Sequence, residues 1–398
     1  MNSFSPFSKM QLLPQEEKLE IAKHRSNLFI GIPKEISYQE RRICLTPDAV
    51  SSLIHQGHHV IIESGAGESS SFSDLDYSKA GAEVTQDTKK VFNCPMILKV
   101  EPPTIKELEL MNPQTILLSA IQLKTQKKTY FEALAQKKIT ALAYEFIKDE
   151  DGSYPAVKSL SEIAGTASIL IASELMINEN IGKGLLLGNI TGVPPTEVVI
   201  LGAGTVAEFA AKTAIGLGAN VKVFDNSITK LRRLQSVLSQ RIFTSTFQDK
   251  SLVKALRRCD VAIGAMRGKN RTPIVVTETM VEHMKKGAVI VDVSIDSGGS
   301  FETSEVTTHE NPTFIKNNVI HYCVPNIPSR YSKTASLSIS NIITPFLLQI
   351  AEDGGLESAI RCNQGLKHGV YMYHGLLTNK AIADWFDLEF KDINLIVF

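Results

Sequence analysis

The stretch Val198 to Asp225, VVILGAGTVAEFAAKTAIGLGANVKVFD, decides the fold. Val198 to Leu201 are four apolar residues in a row, the pattern of a parallel strand buried on both faces. Gly202 and Gly204 follow at once. The first can take a tight backbone turn, and the second has no Cβ to keep a pyrophosphate from the amides at the next helix N-terminus, where the helix dipole favours negative charge. Ala207 occupies the third position, which needs only a small residue where helix meets strand. Val206, Phe209, Ala210, Ala214 and Leu217 then recur at helical spacing. Asp225 closes the second strand 23 positions after Gly202. Its carboxylate can accept hydrogen bonds from a ribose 2′-OH and would repel a 2′-phosphate, so the reading is NAD in preference to NADP. A glycine turn alone says little, but strand, turn, helix, strand and acid in this order describe half of a dinucleotide-binding unit. The competing reading, a glycine turn that only packs a strand-to-helix corner, leaves Asp225 without a role.

The rest of the chain is compatible with a globular NAD-binding protein. At 398 residues it has room for two domains. Lys plus Arg and Asp plus Glu are 42 each, so no global charge favours nucleic acid or an anionic membrane. Cys44, Cys94, Cys259, Cys323 and Cys362 are scattered and odd in number, which argues against a disulfide framework or structural zinc and fits a reducing, cytoplasmic setting. The histidines form no HxxxH pair, and the neighbours His58 and His59 would point to opposite faces of a strand, so no metal site is expected. Residues 1–28 hold no long apolar run and read as an extension, partly helical from about Pro14 to His24, rather than a signal peptide or membrane span.

From Phe29 onward, strands and helices alternate. Strands are expected at Phe29 to Ile32, Val60 to Ile62, Met96 to Val100, Thr115 to Ile121 and Ile139 to Tyr144. Helical patterns separate them, one of them opening at Thr46-Pro47 with threonine as N-cap. Ser161 to Asn180 reads as a long helix. Further strands are expected at Asp260 to Ala265, Ala288 to Ile295 and Val319 to Val324, and a returning helix at Ser336 to Ala351. After it, the C-terminal part shows two short helical patterns. The fold class that results is α/β, with two doubly wound, Rossmann-like domains and a cleft between them. Residues 29–158 with 336–398 form the expected substrate domain, and residues 159–335 the NAD-binding domain. Cofactor and substrate would meet in the cleft.

Several blocks occur in order: GIPKEISYQERRICLTPDAV (31 to 50), ESGAG (63 to 67), DYSKAGAEV (76 to 84), LKVEPP (98 to 103), SLSEIAG (159 to 165), GAGTVAEFAA (202 to 211) and VDVSIDSGG (291 to 299). Together they resemble the alanine dehydrogenase and pyridine nucleotide transhydrogenase alpha-subunit family over nearly all of residues 29 to 380. PTFIKNNVIHYCVPNIPS (312 to 329) favours the alanine dehydrogenase branch. The resemblance implies that Arg42 grips a substrate carboxylate with its two-pronged guanidinium. A surface ion pair with Glu40 is the alternative. Asp296 would lie beside the nicotinamide and handle water, ammonia and protons, while Asp292 reads as a packed structural acid. For cofactor binding the resemblance implies Lys230 near the adenosine ribose, Ser161 at the phosphates and Asn326 over the nicotinamide. Their alternatives are a solvated helix lysine, an N-cap and simple turn chemistry. Ala265 and Met266, at the end of a nucleotide-domain strand, complete the expected cofactor contacts.

Two positions depart from the family. Its dehydrogenases carry a lysine where this chain has Glu101 and a histidine where it has Gln122. In those enzymes the pair polarises a carbonyl and stabilises developing charge. Glu101 would repel a 2-oxo acid unless protonated or paired with a cation. Strand alternation would place Lys99 on the same face as Glu101, and Lys124 on that of Gln122, so either lysine could compensate from the cleft. The expected activity is NAD-dependent oxidative deamination of L-alanine or a related L-amino acid to a 2-oxo acid, with a closed homo-oligomer, commonly a hexamer, implied by the resemblance. Two alternatives stand beside it: a dehydrogenase for a substrate with a basic amine, of lysine or opine type, and an NAD-binding protein without this activity that senses or regulates.

Overall fold

The structure is a computed structural model that describes residues 25–268 and 271–397. The helix expected from Pro14 to His24 lies outside these. Two sheets organise the chain. The first contains β1 (Phe29–Ile32), β2 (His59–Glu63), β3 (Glu83–Thr85), β4 (Met96–Leu98), β5 (Ile116–Ser119) and β6 (Thr140–Ala143). The second contains β7 (Glu197–Leu201), β8 (Asn220–Phe224), β9 (Phe243–Ser245), β10 (Val261–Gly264), β11 (Val289–Asp292), β12 (Thr313–Lys316) and β13 (Val319–Tyr322). Then β14 (Val370–Tyr373) and β15 (Leu376–Leu377) return to the first sheet.

The sheet orders are β15-β14-β6-β5-β4-β1-β2-β3 and β12-β13-β11-β10-β7-β8-β9. All pairings are parallel except β14 with β6 and β15, and β12 with β13. Parallel central strands are covered by helices on both faces, so they read as unbroken apolar runs, and Val198 to Leu201 are fully buried. The two C-terminal strands correct the expectation of helices alone after the returning helix. VYMY and LL are too short to display a period, and only the partner edge of β6 makes them strands.

Two long helices cross between the sheets. One spans Pro155–Ile177 and the other Ser332–Glu352. The first begins beside the core of the first sheet, at Ala156, and ends in that of the second, at Leu175 and Met176. Ile339, Ile343, Leu347 and Ile350 of the second helix pack into the first core. Both are long and apolar enough by length and composition to cross a membrane, and in this fold their apolar residues serve the two cores. The partition expected at 158/159 and 335/336 falls inside these helices, so chain connectivity between the sheets is helical at both places.

The start of the first crossing helix corrects the role of Ser161 as a possible N-cap. Pro155 opens the helix, since its fixed φ suits a first-turn position where no amide partner is needed. Ser161 sits a turn and a half further in, its Oγ donating to the Val157 carbonyl at 2.7 Å. The helix Pro155–Ile177 lies against the helix Thr205–Gly216 that follows the glycine turn, and Gly165 permits the approach. A Cβ at Gly165 would stand 2.4 Å from the Val206 carbonyl oxygen and 3.1 Å from the Ala210 nitrogen. Both are backbone atoms of the neighbouring helix and cannot rotate aside. The Gly165→Ala variant is therefore expected to lose about 1–3 kcal/mol to overpacking, although alanine is the better helix former by about 1 kcal/mol. Urea unfolding checks this; a wild-type midpoint would contradict the close-packed contact.

Candidate functional site

The glycine turn is built as a cofactor cradle. Gly202 has φ of 110°, a conformation that side chains disfavour, and a Cβ there would meet the Ala265 carbonyl oxygen at 2.5 Å. Gly204 is the residue before the helix Thr205–Gly216, and a Cβ on it would meet nothing within 4 Å. The space above the helix N-terminus is open, as a pyrophosphate requires. Ala207 is fully buried beneath it. Ala265 follows β10 and donates its amide to the Leu201 carbonyl at 2.8 Å, which places Ala265 and Met266 beside the turn at the carboxyl ends of β7 and β10. These residues fit a dinucleotide.

Asp225 has structural partners as well. Its Oδ2 accepts the Ala203 amide at 2.8 Å and its Oδ1 the Ser227 amide at 2.7 Å. The acid thus braces the glycine turn, so the competing packing reading does give it work. A carboxylate has about four acceptor positions, which leaves capacity for ribose hydroxyls. Lys230 is exposed on the helix Ile228–Val237, with no side-chain bond recorded among the described contacts.

The second half of the site centres on Arg42, in the loop between β1 and the helix Pro47–His55. Its guanidinium is buried and donates to Glu40 through Nε to Oε1 at 2.8 Å and Nη2 to Oε2 at 2.6 Å. The pair with Glu40 exists, but in the interior rather than on the surface. Nη2 also reaches Oε1 of Glu101 at 3.2 Å, and Gln122 Nε2 donates to Oε2 of Glu101. The two positions expected to part from the family are therefore bonded to each other, and Glu101 is bonded to Arg42.

Asn326 joins this cluster to the nucleotide domain. Its side-chain amide donates to Glu40 Oε2 at 2.9 Å, and its backbone amide to Asp296 Oδ1 at 3.2 Å. The side chain makes no helix cap, but its backbone is left-handed, with φ of 55°, so the turn-chemistry reading holds for the backbone while the side chain bonds Glu40. Three further contacts close the same seam: Arg41 N to Ser329 Oγ at 3.1 Å, Ser329 Oγ to the Gln39 carbonyl at 2.7 Å, and His309 N to Gln39 Oε1 at 2.9 Å. Asp296 lies in the 3-10 turn Val293–Ser297 just past β11 rather than on the strand itself. Asp296 is exposed by surface area, yet the protein packed around it raises its carboxyl to about 6, against the lowering effect of the Asn326 bond and of Arg42. Asp292, at the strand end, is fully buried and accepts from Ser294 N, Ser300 N and Ser304 Oγ at 3.1, 2.8 and 2.7 Å, the bonding of a structural acid.

Lys99 is placed by a different set of partners. Strand β4 ends at Leu98 and Gln122 takes a left-handed conformation with φ of 46°, so strand alternation governs neither position. Lys99 Nζ lies 3.0 Å from Glu35 Oε2 and 2.8 Å from Glu107 Oε1, with its side chain wholly buried. Burial disfavours its charge, yet the two carboxylates more than offset this and raise its pKa. Glu35 also accepts the Val100 amide at 2.6 Å, and Glu107 caps its own helix through Thr104. Lys124 is exposed, within electrostatic range of Asp296.

Glu35 and Glu107 were not singled out from the sequence, and Glu40 was weighed only as a surface partner of Arg42. The available signal was the density of carboxylates flanking Arg42 and Lys99, since charges carried into an apolar interior must be paired. Among the described residues no group of three or more His, Cys, Asp or Glu is arranged to hold a metal.

Comparison with known proteins agrees with this geometry. Residues 31–164 match the family described as alanine dehydrogenase/PNT, N-terminal domain, and residues 168–380 its C-terminal domain. The chain is 37% identical over 366 residues to alanine dehydrogenase 2 of Staphylococcus aureus (strain USA300), covering 92% of this chain and 98% of that protein. A solved L-alanine dehydrogenase superposes with a TM-score of 0.84 at 34% identity, over 90% of this chain and 99% of that one. A transhydrogenase from Sinorhizobium meliloti shares the fold, with a TM-score of 0.75 at 22% identity, over 89% of this chain and 99% of that one.

The Glu35–Lys99–Glu107 cluster makes a stability prediction. Lys99→Met keeps the bulk and removes the cation, leaving two buried carboxylates facing each other. Breaking a buried ionic cluster in this way is expected to destabilise by about 3–5 kcal/mol, read as a lower denaturant midpoint. A variant as stable as the parent would show that the cluster does not hold this corner together.

Proposed function

The chain belongs to the alanine dehydrogenase/PNT family, and from that premise we propose that it oxidatively deaminates L-alanine or a closely related L-amino acid with NAD, releasing the 2-oxo acid and ammonia. The observation that carries this reading is Asn326, which bonds Glu40 of the Arg42 cluster and Asp296 of the nucleotide domain at once. Substrate and cofactor halves meet there. When bound, NAD would supply the hydride acceptor, resting on Gly202, Gly204 and Ala207 with Asp225 at the ribose. Lys230 and Ser161 are proposed to support its ribose and phosphates.

The remaining chemistry is proton handling and orientation. Arg42 orients the substrate carboxylate, held in place by Glu40 so that its guanidinium keeps one attitude. Asp296, as the carboxylate, accepts a proton from the water that adds to the imine carbon.

A second reading has its own support. Glu101 adjoins Arg42, and in its ionised form a carboxylate there would receive a cationic amine while Arg42 held an acid group. Such a substrate would be an amino acid with a basic side chain. A homo-oligomer in the cytoplasm belongs to the leading reading. It is supported by exposed Leu170, Ile177, Leu186, Ile190 and Val193 in and after the first crossing helix, and by cysteines that are all free.

Absorbance at 340 nm with NAD and a panel of alanine, glycine and lysine tests the function directly. NADH formation with alanine leading is the expected result. NAD binding by thermal shift with no turnover on any amino acid would overturn it. Activity should also rise with pH through about 6, as Asp296 loses its proton and becomes a base. The Asp296→Asn variant is expected to lose about 10²-fold or more in kcat and that acidic limb, while binding NAD as before.

A further inference from the structure

We propose that Glu101 is the catalytic acid of this site, carrying the proton that the substrate's carbonyl oxygen takes up and later returns. This rests on the deamination reading above and supplies the step that the family resemblance assigns to a lysine and a histidine.

The argument begins with charge. One guanidinium, Arg42, stands between two buried carboxyl groups, Glu40 and Glu101. A single positive charge can match only one of them, and a second unmatched anion out of water is costly enough that the group keeps its proton instead. Geometry chooses which. Glu40 receives two short guanidinium bonds together with the backbone amides of Arg41 and Arg42 at 3.0 and 2.8 Å and the Asn326 side chain at 2.9 Å. Glu101 receives one guanidinium bond, at 3.2 Å. The donors therefore gather on Glu40, and the proton falls to Glu101.

The two oxygens of Glu101 face different ways. Oε1 accepts from Arg42, and Oε2 accepts from Gln122, an exposed residue. A side-chain hydrogen bond with Glu40 also favours the protonated form of Glu101, so its proton lies between the two carboxyl groups. The charged and titratable groups around Glu101 are Glu35, Glu40 and Arg42 from the segment after β1 and Tyr144 after β6, with Glu145 accepting the backbone amide of its partner Gln122. Burial first, and then the Glu40 charge, raise the Glu101 carboxyl to about 8 despite Arg42. Burial also opposes ionisation of Glu40, but Arg42 outweighs it and holds that group below the usual range.

The proton step balances in both directions. When ammonia adds to the 2-oxo acid, a C–N bond forms, the carbonyl π pair moves to oxygen, and that oxygen takes the proton from the Glu101 carboxyl. In deamination the hydroxyl of the same adduct returns its proton to the Glu101 carboxylate as the C–N bond breaks and the electron pair leaves with ammonia. A neutral Glu101 also removes the repulsion that an ionised carboxylate would exert on a 2-oxo acid.

The test pairs a spectrum with a rate profile. Infrared difference spectra of the full-length protein against Glu101→Gln should contain the carbonyl band of a neutral carboxylic acid, shifted in deuterated water and fading as pH passes about 8. In reductive amination of pyruvate, kcat/KM of the wild type should fall above the same pH. Glu101→Gln should lose about 10²-fold or more in rate together with that alkaline limb, with NADH binding unchanged by fluorescence titration, and Glu101→Asp should recover part of the rate. An active wild type with no such band, or a Glu101→Gln variant with full rate and an unaltered limb, overturns this inference and leaves the deamination reading standing. A wild type that turns over no amino or 2-oxo acid overturns both.

Discussion

The buried bond between Arg42 and Glu40 is the interaction on which the rest of the site depends. Removing two opposite charges from water is repaid only when geometry is good and the spare donors and acceptors are filled. Here they are filled by parts of the chain far apart in sequence. Glu40 collects the Asn326 side chain from the nucleotide domain, and Arg42 collects Glu101 from the end of β4. The pair therefore fixes the seam between the two sheets as well as its own loop. Because Asn326 also holds Asp296, a shift of Glu40 would be felt at Asp296.

Much of the fold was legible because parallel strands covered on both faces leave a plain record. Val198 to Leu201 could be little else once the glycine turn followed. The record fades where an element owes its form to a neighbour. The short strands β14 and β15 exist because β6 offers an unpaired edge, and β9 and β12 are likewise edge strands of three and four residues. Helix beginnings were shifted for a related reason. Ser161 followed by Glu162 resembles a capped start, but Pro155 opens the helix earlier, and the serine turns its hydroxyl back to Val157.

The candidate site was legible in its residues and illegible in their bonds. Arg42, Asp296 and Asn326 lie in blocks with recognisable neighbours, and the structure gathers all three at one seam. That Glu40 is the hub, or that Lys99 is bound between Glu35 and Glu107, depends on loops whose paths no period records. Alternation predicted a shared face for Lys99 and Glu101, yet the strand ends at Leu98 and the rule ends with it. Asp225 shows the reverse case: a residue read for its ligand also has two backbone amides to satisfy.

The exchange of a lysine for Glu101 is then best understood through charge balance rather than through one position. A cation at 101 would add to Arg42 in answering Glu40; a carboxyl at 101 competes for the same guanidinium. The fold answers this competition by concentrating donors on Glu40 and by confining the nearest other buried cation, Lys99, between carboxylates of its own. Nothing remains to neutralise an ionised Glu101 from within the cluster except a share of Arg42. Two chemical outcomes satisfy that constraint, a retained proton or an incoming cation, and both keep the position functional. A neutral acid and an amide can still polarise a carbonyl, since hydrogen-bond donors aimed at a developing oxyanion need no full charge. The substitution alters where the proton is stored without emptying the site of a proton to give.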